Sequence, residues 1–162
     1  MANFFTDNDD LRFYLSKGVD WAALAEVTEH RVTREDGFKS AKEAVGFYAD
    51  VLKMVGELSA KELAPRSAAI DQEGVRVEKG EAVVGPAFKA AFDALTQADL
   101  HRLCVPRELG GLNAPLLVYF ISCEVLGRGD VATMAHSSFH GGTCSMMRPC
   151  SQSKPATSSH AL

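Results

Sequence analysis

The sequence predicts an all-α, bundle-like domain with room for one short hairpin. Three observations carry this. Apolar residues recur at helical spacing through most of the first 140 positions. Helix-start residues stand immediately before those stretches: Asp20, Ser40 with Glu43, Pro86, Pro115 and Asp130. The one β-branched stretch, Gly74-Val75-Arg76-Val77-Glu78-Lys79-Gly80, is short and bounded by glycines.

In chain order, Thr6 or Asp7 is expected to cap a first helix, with Leu11, Tyr14 and Leu15 inward and Gly18 at its end. Asp20 caps a second, with Trp21, Leu24, Ala25 and Thr28 on one side. Ser40-Ala41-Lys42-Glu43 is a capping box that opens the longest helix. Its core stripe is Ala44, Phe47, Tyr48, Val51, Leu52, Val55, Leu58 and Leu63, and Pro65 sets its limit or a kink. The stretch from Gly74 to Gly80 reads as a hairpin or an extended loop. Pro86 starts the next helix, to about Ala98, with Phe88, Phe92 and Leu95 inward. Leu103 to Gly111 is a loop in which Gly110-Gly111 makes a tight turn. Leu116, Leu117, Phe120, Ile121, Val125 and Leu126 make the following helix apolar nearly all round, which places it centrally. Asp130 caps a last helix, to about His140.

Length and charge narrow the function classes. The chain has 162 residues, enough for one ordinary domain with a core. Lys plus Arg number 17 against 21 Asp plus Glu, a net charge of -4, which argues against a nucleic-acid or anionic-membrane partner. No apolar run approaches the ~18 residues of a membrane span, and the N-terminus has no signal-peptide pattern. The four cysteines form no Cys-x-x-Cys pair, so a reduced, cytoplasmic setting is expected. From Gly141 to Leu162 there is no Asp, Glu, Val, Ile or aromatic residue. That stretch is expected to be disordered, either as an authentic linker or as non-native coding sequence after a frameshift or early stop.

Few residues suggest chemistry. The sequence lacks a nucleophile elbow, a P-loop and a His-Glu-x-x-His motif. His136 and His140 are one helical turn apart, and with Cys144 and Cys150 they form a conceivable zinc set, His-x3-His-x3-Cys-x5-Cys. Packed or solvated histidines are the plainer expectation. Cys104 and Cys123 lie in apolar stretches and read as small buried hydrophobes. Phe4, Phe5 and Trp21 are candidate partner anchors, although core packing is their commoner use. The charged stretch Glu29 to Lys42 reads as a solvated loop, with a docking surface as its alternative.

Several segments, in order, resemble the N-terminal helical domain of acyl-CoA dehydrogenases. Leu63-Ala64-Pro65-Arg66-Ser67-Ala68-Ala69-Ile70-Asp71 resembles the end of that family's first long helix. Val105-Pro106-Arg107-Glu108-Leu109-Gly110-Gly111 is similar to its Pro-Glu-Glu-Tyr-Gly-Gly loop. Ile121-Ser122-Cys123-Glu124-Val125-Leu126-Gly127-Arg128-Gly129-Asp130 resembles its Glu-Glu-Leu-Ala-Arg-Ala-Asp helix end, and Met134 to His140 its next, small-residue helix. Asn3 to Phe13 resembles the extra N-terminal segment of larger bacterial members. Arg107 stands where the family more often has an acid, and Asp99-Leu100-His101-Arg102 replaces a Gly/Trp-rich turn.

The resemblance implies an FAD-dependent flavoprotein of fatty acid metabolism that removes two hydrogens α,β to an acyl-CoA thioester. A carboxylate takes the α-proton and the flavin the β-hydride. It divides the chain into an N-terminal helical extension (1–38), the family's helical domain (39–140) and the tail (141–162). The flavin-binding β-domain and the domain carrying the catalytic Glu would lie beyond. The chain is therefore expected to be a truncated, inactive fragment that binds FAD weakly or not at all, with no catalytic residue of its own. The helix after Asp130 would line the acyl pocket through Val131, Ala132 and Ala135, with Ser138 or Phe139 one turn on. A helical interaction module is the alternative, and uncovered faces would promote self-association.

Overall fold

The computed structural model describes residues 2–30 and 37–146, without the side chains of residues 29, 30, 108 and 140–146. Seven α-helices and one hairpin make up this part of the chain. Their order is α1 (Asp9–Phe13), α2 (Trp21–His30), α3 (Ala41–Leu58), α4 (Ser67–Glu73), β1 (Val75–Glu78), β2 (Glu81–Val84), α5 (Pro86–Gln97), α6 (Leu116–Gly129) and α7 (Val131–Met146).

The N-terminal helices form largely as expected, with one shift. Asn8 rather than Thr6 or Asp7 caps α1, accepting from the amides of Asp10 and Leu11. Asp7 is used one step earlier: its carboxylate accepts from the Asn3 amide at 2.8 Å. The Asn3 carboxamide in turn donates to the Lys53 carbonyl at 3.0 Å, and the Phe4 amide donates to that of Gly56. These bonds tie the N-terminal segment across α3. A wide turn over Tyr14–Gly18 follows α1 and swings Tyr14 outward, whereas Leu11 stays buried. Asp20 caps α2 through the Ala23 amide. Phe5 and Trp21 are buried, so they belong to the core.

The capping box at Ser40 is present in a displaced form. Ser40 Oγ accepts from the Glu43 amide at 3.2 Å, and the Glu43 carboxylate accepts from Lys39, one residue ahead of the cap. Beyond Leu58 the chain keeps coiling, through a wide turn at Ser59–Leu63 and a tight one at Ala64–Arg66, into α4. Pro65 explains the change of pitch. It cannot donate an amide hydrogen and its ring crowds the preceding turn.

The centre of the domain is α3 against α6, with α2 beside α3, α7 beside α6, and α5 beside α4 and α7. Tyr48, Leu52, Val55, Leu63, Val118 and Val125 are fully enclosed there. Trp21, Phe38, Phe47 and Tyr48 form a chain of ring contacts that fastens α2 to α3. The loop before α6 turns as expected at Gly110-Gly111. Gly110 has φ 80°, and a Cβ on Gly111 would fall 2.0 Å from the Val105 carbonyl oxygen. Arg107 lies over the Phe38 ring, 4.7 Å from its centre, which joins this loop to the aromatic chain.

Two expectations need correction. The helix α6 is central on one stripe only: Val118, Ile121 and Val125 are buried, but Leu116 and Phe120 are exposed. The last helix extends to Met146, six positions past His140. Gly141 and Gly142 therefore lie within a helix, although glycine is a poor helix former.

Candidate functional site: the outer face of the last helix

The start of α7 is held by a compact set of buried polar contacts. Asp130 is itself buried and is the only residue between α6 and α7. One carboxylate oxygen accepts from the Thr133 amide at 2.6 Å, which caps the helix. The other accepts from Ser67 Oγ at 3.0 Å, which ties α7 to α4. One residue earlier, a Cβ on Gly129 would meet Ser59 Oγ at 2.5 Å and Leu63 Cβ at 2.9 Å. Only glycine lets α6 cross the Ser59–Leu63 turn this closely. Ser59 Oγ donates to the Val125 carbonyl at 2.8 Å, so this crossing is buried and hydrogen-bonded. The Thr133 hydroxyl is buried without a partner among the described residues.

A second fastening holds the middle of α7. The Tyr119 hydroxyl donates to the Ser138 carbonyl, which makes α6 and α7 antiparallel neighbours. Burial pushes the Tyr119 pKa up to about 12, and the neighbouring Cys123 adds to the shift. Burial also raises the Cys123 thiol, although the Tyr119 hydroxyl opposes this. Cys104 is buried and Cys123 half-buried. The raised Cys123 thiol is held in the un-ionised form, as expected of a small hydrophobe. Cys104 and Cys123 both line a cavity of about 30 Å³ together with Tyr119, Leu95 and Leu126. That volume suits a water molecule and is far too small for an acyl chain or a flavin.

The outer face of α7 is different. Val131, Ala132 and Ala135 are exposed on one side, and Phe139 continues that side at 72% exposure. Ser138 borders the face half-buried, with its hydroxyl turned back to the Ala135 carbonyl at 2.7 Å. At the same end of the helix pair, Leu116 and Phe120 of α6 are also exposed, Phe120 at 61%. The sequence pattern had placed these two inside. The available signal was that α6 is apolar all round, which leaves a second stripe at positions 116 and 120 once one stripe is buried.

Of the conceivable zinc set, only the His136 side chain lies among the described residues. His136 sits edge-on to Phe88 and Phe92, with ring centres at 5.5 and 5.1 Å, in the seam between α5 and α7. The side chains of His140 and Cys144, and all of Cys150, lie outside the described residues. Those that are described contain no group of three potential metal ligands. No described helix is long and apolar enough to cross a membrane.

The family model of the acyl-CoA dehydrogenase N-terminal domain matches residues 48–151, from the middle of α3 past the end of α7. The chain belongs to the acyl-CoA dehydrogenase family. That match runs ten residues beyond Gly141, into the stretch set apart from composition as a tail. A 3-methylmercaptopropionyl-CoA dehydrogenase from Ruegeria pomeroyi is 25% identical over 123 residues, covering 76% of this chain and 19% of that protein. The chain thus spans about a fifth of this acyl-CoA dehydrogenase's length. The buried Asp130 clasp and the exposed α7 face both lie within the matched region.

Proposed function

We propose that this domain is the N-terminal wall of an FAD-dependent acyl-CoA dehydrogenase and presents the outer face of α7 to the acyl chain of an acyl-CoA thioester. The carrying observation is the contrast along α7. Its start is fixed by the Asp130 clasp, while Val131, Ala132 and Ala135 are left uncovered. A rigid helix with small apolar side chains on its open side can lie along a hydrocarbon chain without steric conflict. Membership of the family supports the substrate class and the oxidoreductase reaction.

The described residues do not fit a flavin on their own. A site for such a cofactor is a cleft of several hundred Å³ with convergent polar groups. Here the cavity between α6 and the loop before it is about 30 Å³, the wider cleft of about 250 Å³ between α2 and the start of α3 has no lining residue from α6 or α7, and the α7 face is a wall without an opposite side. No reaction step is therefore assigned to these residues. Their role is to bind, to orient the acyl chain and to exclude water from one side of it. On this reading the chain by itself holds flavin weakly and does not turn over substrate.

Two measurements test it. The absorbance spectrum of the purified chain should lack a stoichiometric flavin band, and acyl-CoA with an artificial electron acceptor should give no turnover. Titration with a saturated acyl-CoA, followed by amide chemical shifts, should move Val131, Ala132 and Ala135 first. Shifts confined to other helices would remove α7 from the role. A helical docking module is the second reading, favoured by the exposed Leu116, Phe120 and Phe139. Under that reading a protein ligand, and not acyl-CoA, would protect those three side chains.

A further inference from the structure

The β1–β2 hairpin is the least covered part of the described chain: every one of its strand residues is exposed. Its register pairs Val75 with Val84, Arg76 with Val83, Val77 with Ala82 and Glu78 with Glu81. Val75, Val77, Ala82 and Val84 therefore share one side, while Arg76, Glu78, Glu81 and Val83 share the other. The turn is Lys79-Gly80, with φ 54° and 86°, a two-residue turn of the type that matches strand twist. Such a turn makes the flanking pair Glu78–Glu81 the hydrogen-bonded one. Pairs then alternate, so the amides and carbonyls of Val75 and Val77 point away from β2, towards the outer edge. The sheet has two strands, so among the described residues that edge meets no third strand.

The edge is self-complementary. If two copies of β1 meet antiparallel about Val77, each Val77 amide donates to the Val77 carbonyl of the other copy. Arg76 then lies opposite Glu78 of the second copy, twice, in the pairs whose side chains approach most closely. Slipping the pairing by two residues in either direction sets Arg76 against Arg76 or Glu78 against Glu78. One register is therefore favoured by charge as well as by hydrogen bonding.

We infer that β1 is a homotypic docking edge, joining two copies of this chain into a four-stranded antiparallel sheet through Val77–Val77 hydrogen bonds and reciprocal Arg76–Glu78 pairs. The contact involves only a few residues a side, so the dimer is weak and depends on concentration. Pairing also extends a hairpin that, on its own, has too few strands for much stability. The inference is independent of the acyl-CoA reading.

Sedimentation velocity on the full chain, between about 10 μM and 1 mM, tests it. A reversible monomer–dimer equilibrium is expected. Arg76→Glu and Glu78→Arg each replace two attractive pairs by two repulsive ones, and each should raise the dimer Kd about tenfold. The double exchange restores complementarity and should return Kd to within about threefold of the original. Hydrogen-exchange protection at the Val75 and Val77 amides should rise with concentration, and this readout needs no variant. A chain that stays monomeric throughout the range overturns the inference. So does a dimer indifferent to both charge exchanges, or one that Phe139→Ser dissolves, since that would place the contact on α7. Should a single exchange unfold the hairpin, concentration-dependent protection of Val75 and Val77 decides alone.

Discussion

The α6–α7 corner and the β hairpin are both short reversals of the chain, yet they are stabilised in opposite ways. At the corner, Gly129 lies against Ser59 and Leu63, and Asp130 is bonded to both Thr133 and Ser67. Its geometry is fixed by groups distant in sequence. The hairpin is fixed by its own turn, and no side chain of its strands is buried. The corner should therefore report on the stability of the whole domain, while the hairpin should tolerate change and respond to local chemistry alone.

The strongest way to break that comparison is Gly129→Ala. A new Cβ would stand 2.5 Å from Ser59 Oγ and 2.9 Å from the Ser59 backbone carbonyl. Because backbone must move, a loss of about 3 kcal/mol is expected from the urea midpoint at unchanged slope. Asp130→Ala removes the cap of α7 and leaves Ser67 without its acceptor, at a cost of about 2 kcal/mol by the same measurement.

Tyr119→Phe should cost less, about 1 kcal/mol, and it adds a pH signature. The folded-state pKa of Tyr119 lies above its unfolded value near 10, at about 12. Its contribution is therefore intact below pH 10 and is lost as pH rises towards 12. Cys123 shifts in the same direction, so its contribution also falls on the alkaline side, from about pH 9 upward. Unfolding curves recorded from pH 8 to 12 should decline more steeply for the parent chain than for Tyr119→Phe. Equal slopes would show that this hydroxyl is not desolvated in the folded chain.

The smallest effect belongs to the hairpin. Lys79 has φ 54°, which a lysine adopts at some cost. Lys79→Asn should raise stability by about 0.5 kcal/mol, because asparagine accepts this conformation and precedes glycine in the favoured turn. A gain confined to hairpin amides in hydrogen exchange would sharpen the contrast with the corner. A gain spread over α3 and α6 would abolish it.

Much of the fold was legible from local signals. Ser40, Asp20, Pro86 and Asp130 all mark helix starts, because a cap acts within one turn and leaves a mark at fixed spacing. The shift of the first cap from Thr6 or Asp7 to Asn8 shows the limit. Asp7 is a competent cap, but its carboxylate is committed to Asn3, a fold-back that single-residue preference cannot anticipate. Of the candidate substrate face, the positions of Val131, Ala132 and Ala135 on one side of α7 followed from helical period. That Leu116 and Phe120 are exposed, beside the other end of α7, did not, because periodicity cannot choose which stripe of an all-apolar helix is covered. The fastening of that face by Ser67 and Tyr119 was also invisible, since both bonds join residues from separate helices.

By itself, then, the sequence determined where helices begin, that they form an α-helical domain, and which family's ordered motifs they carry, because these depend on neighbours within a few positions. Only the tertiary structure decided which sides face outward, how closely α6 crosses the turn after α3, and that the acidic cap of α7 also clasps α4. Those outcomes depend on excluded volume and on burial of paired polar groups between segments far apart in the chain, and no local pattern encodes them.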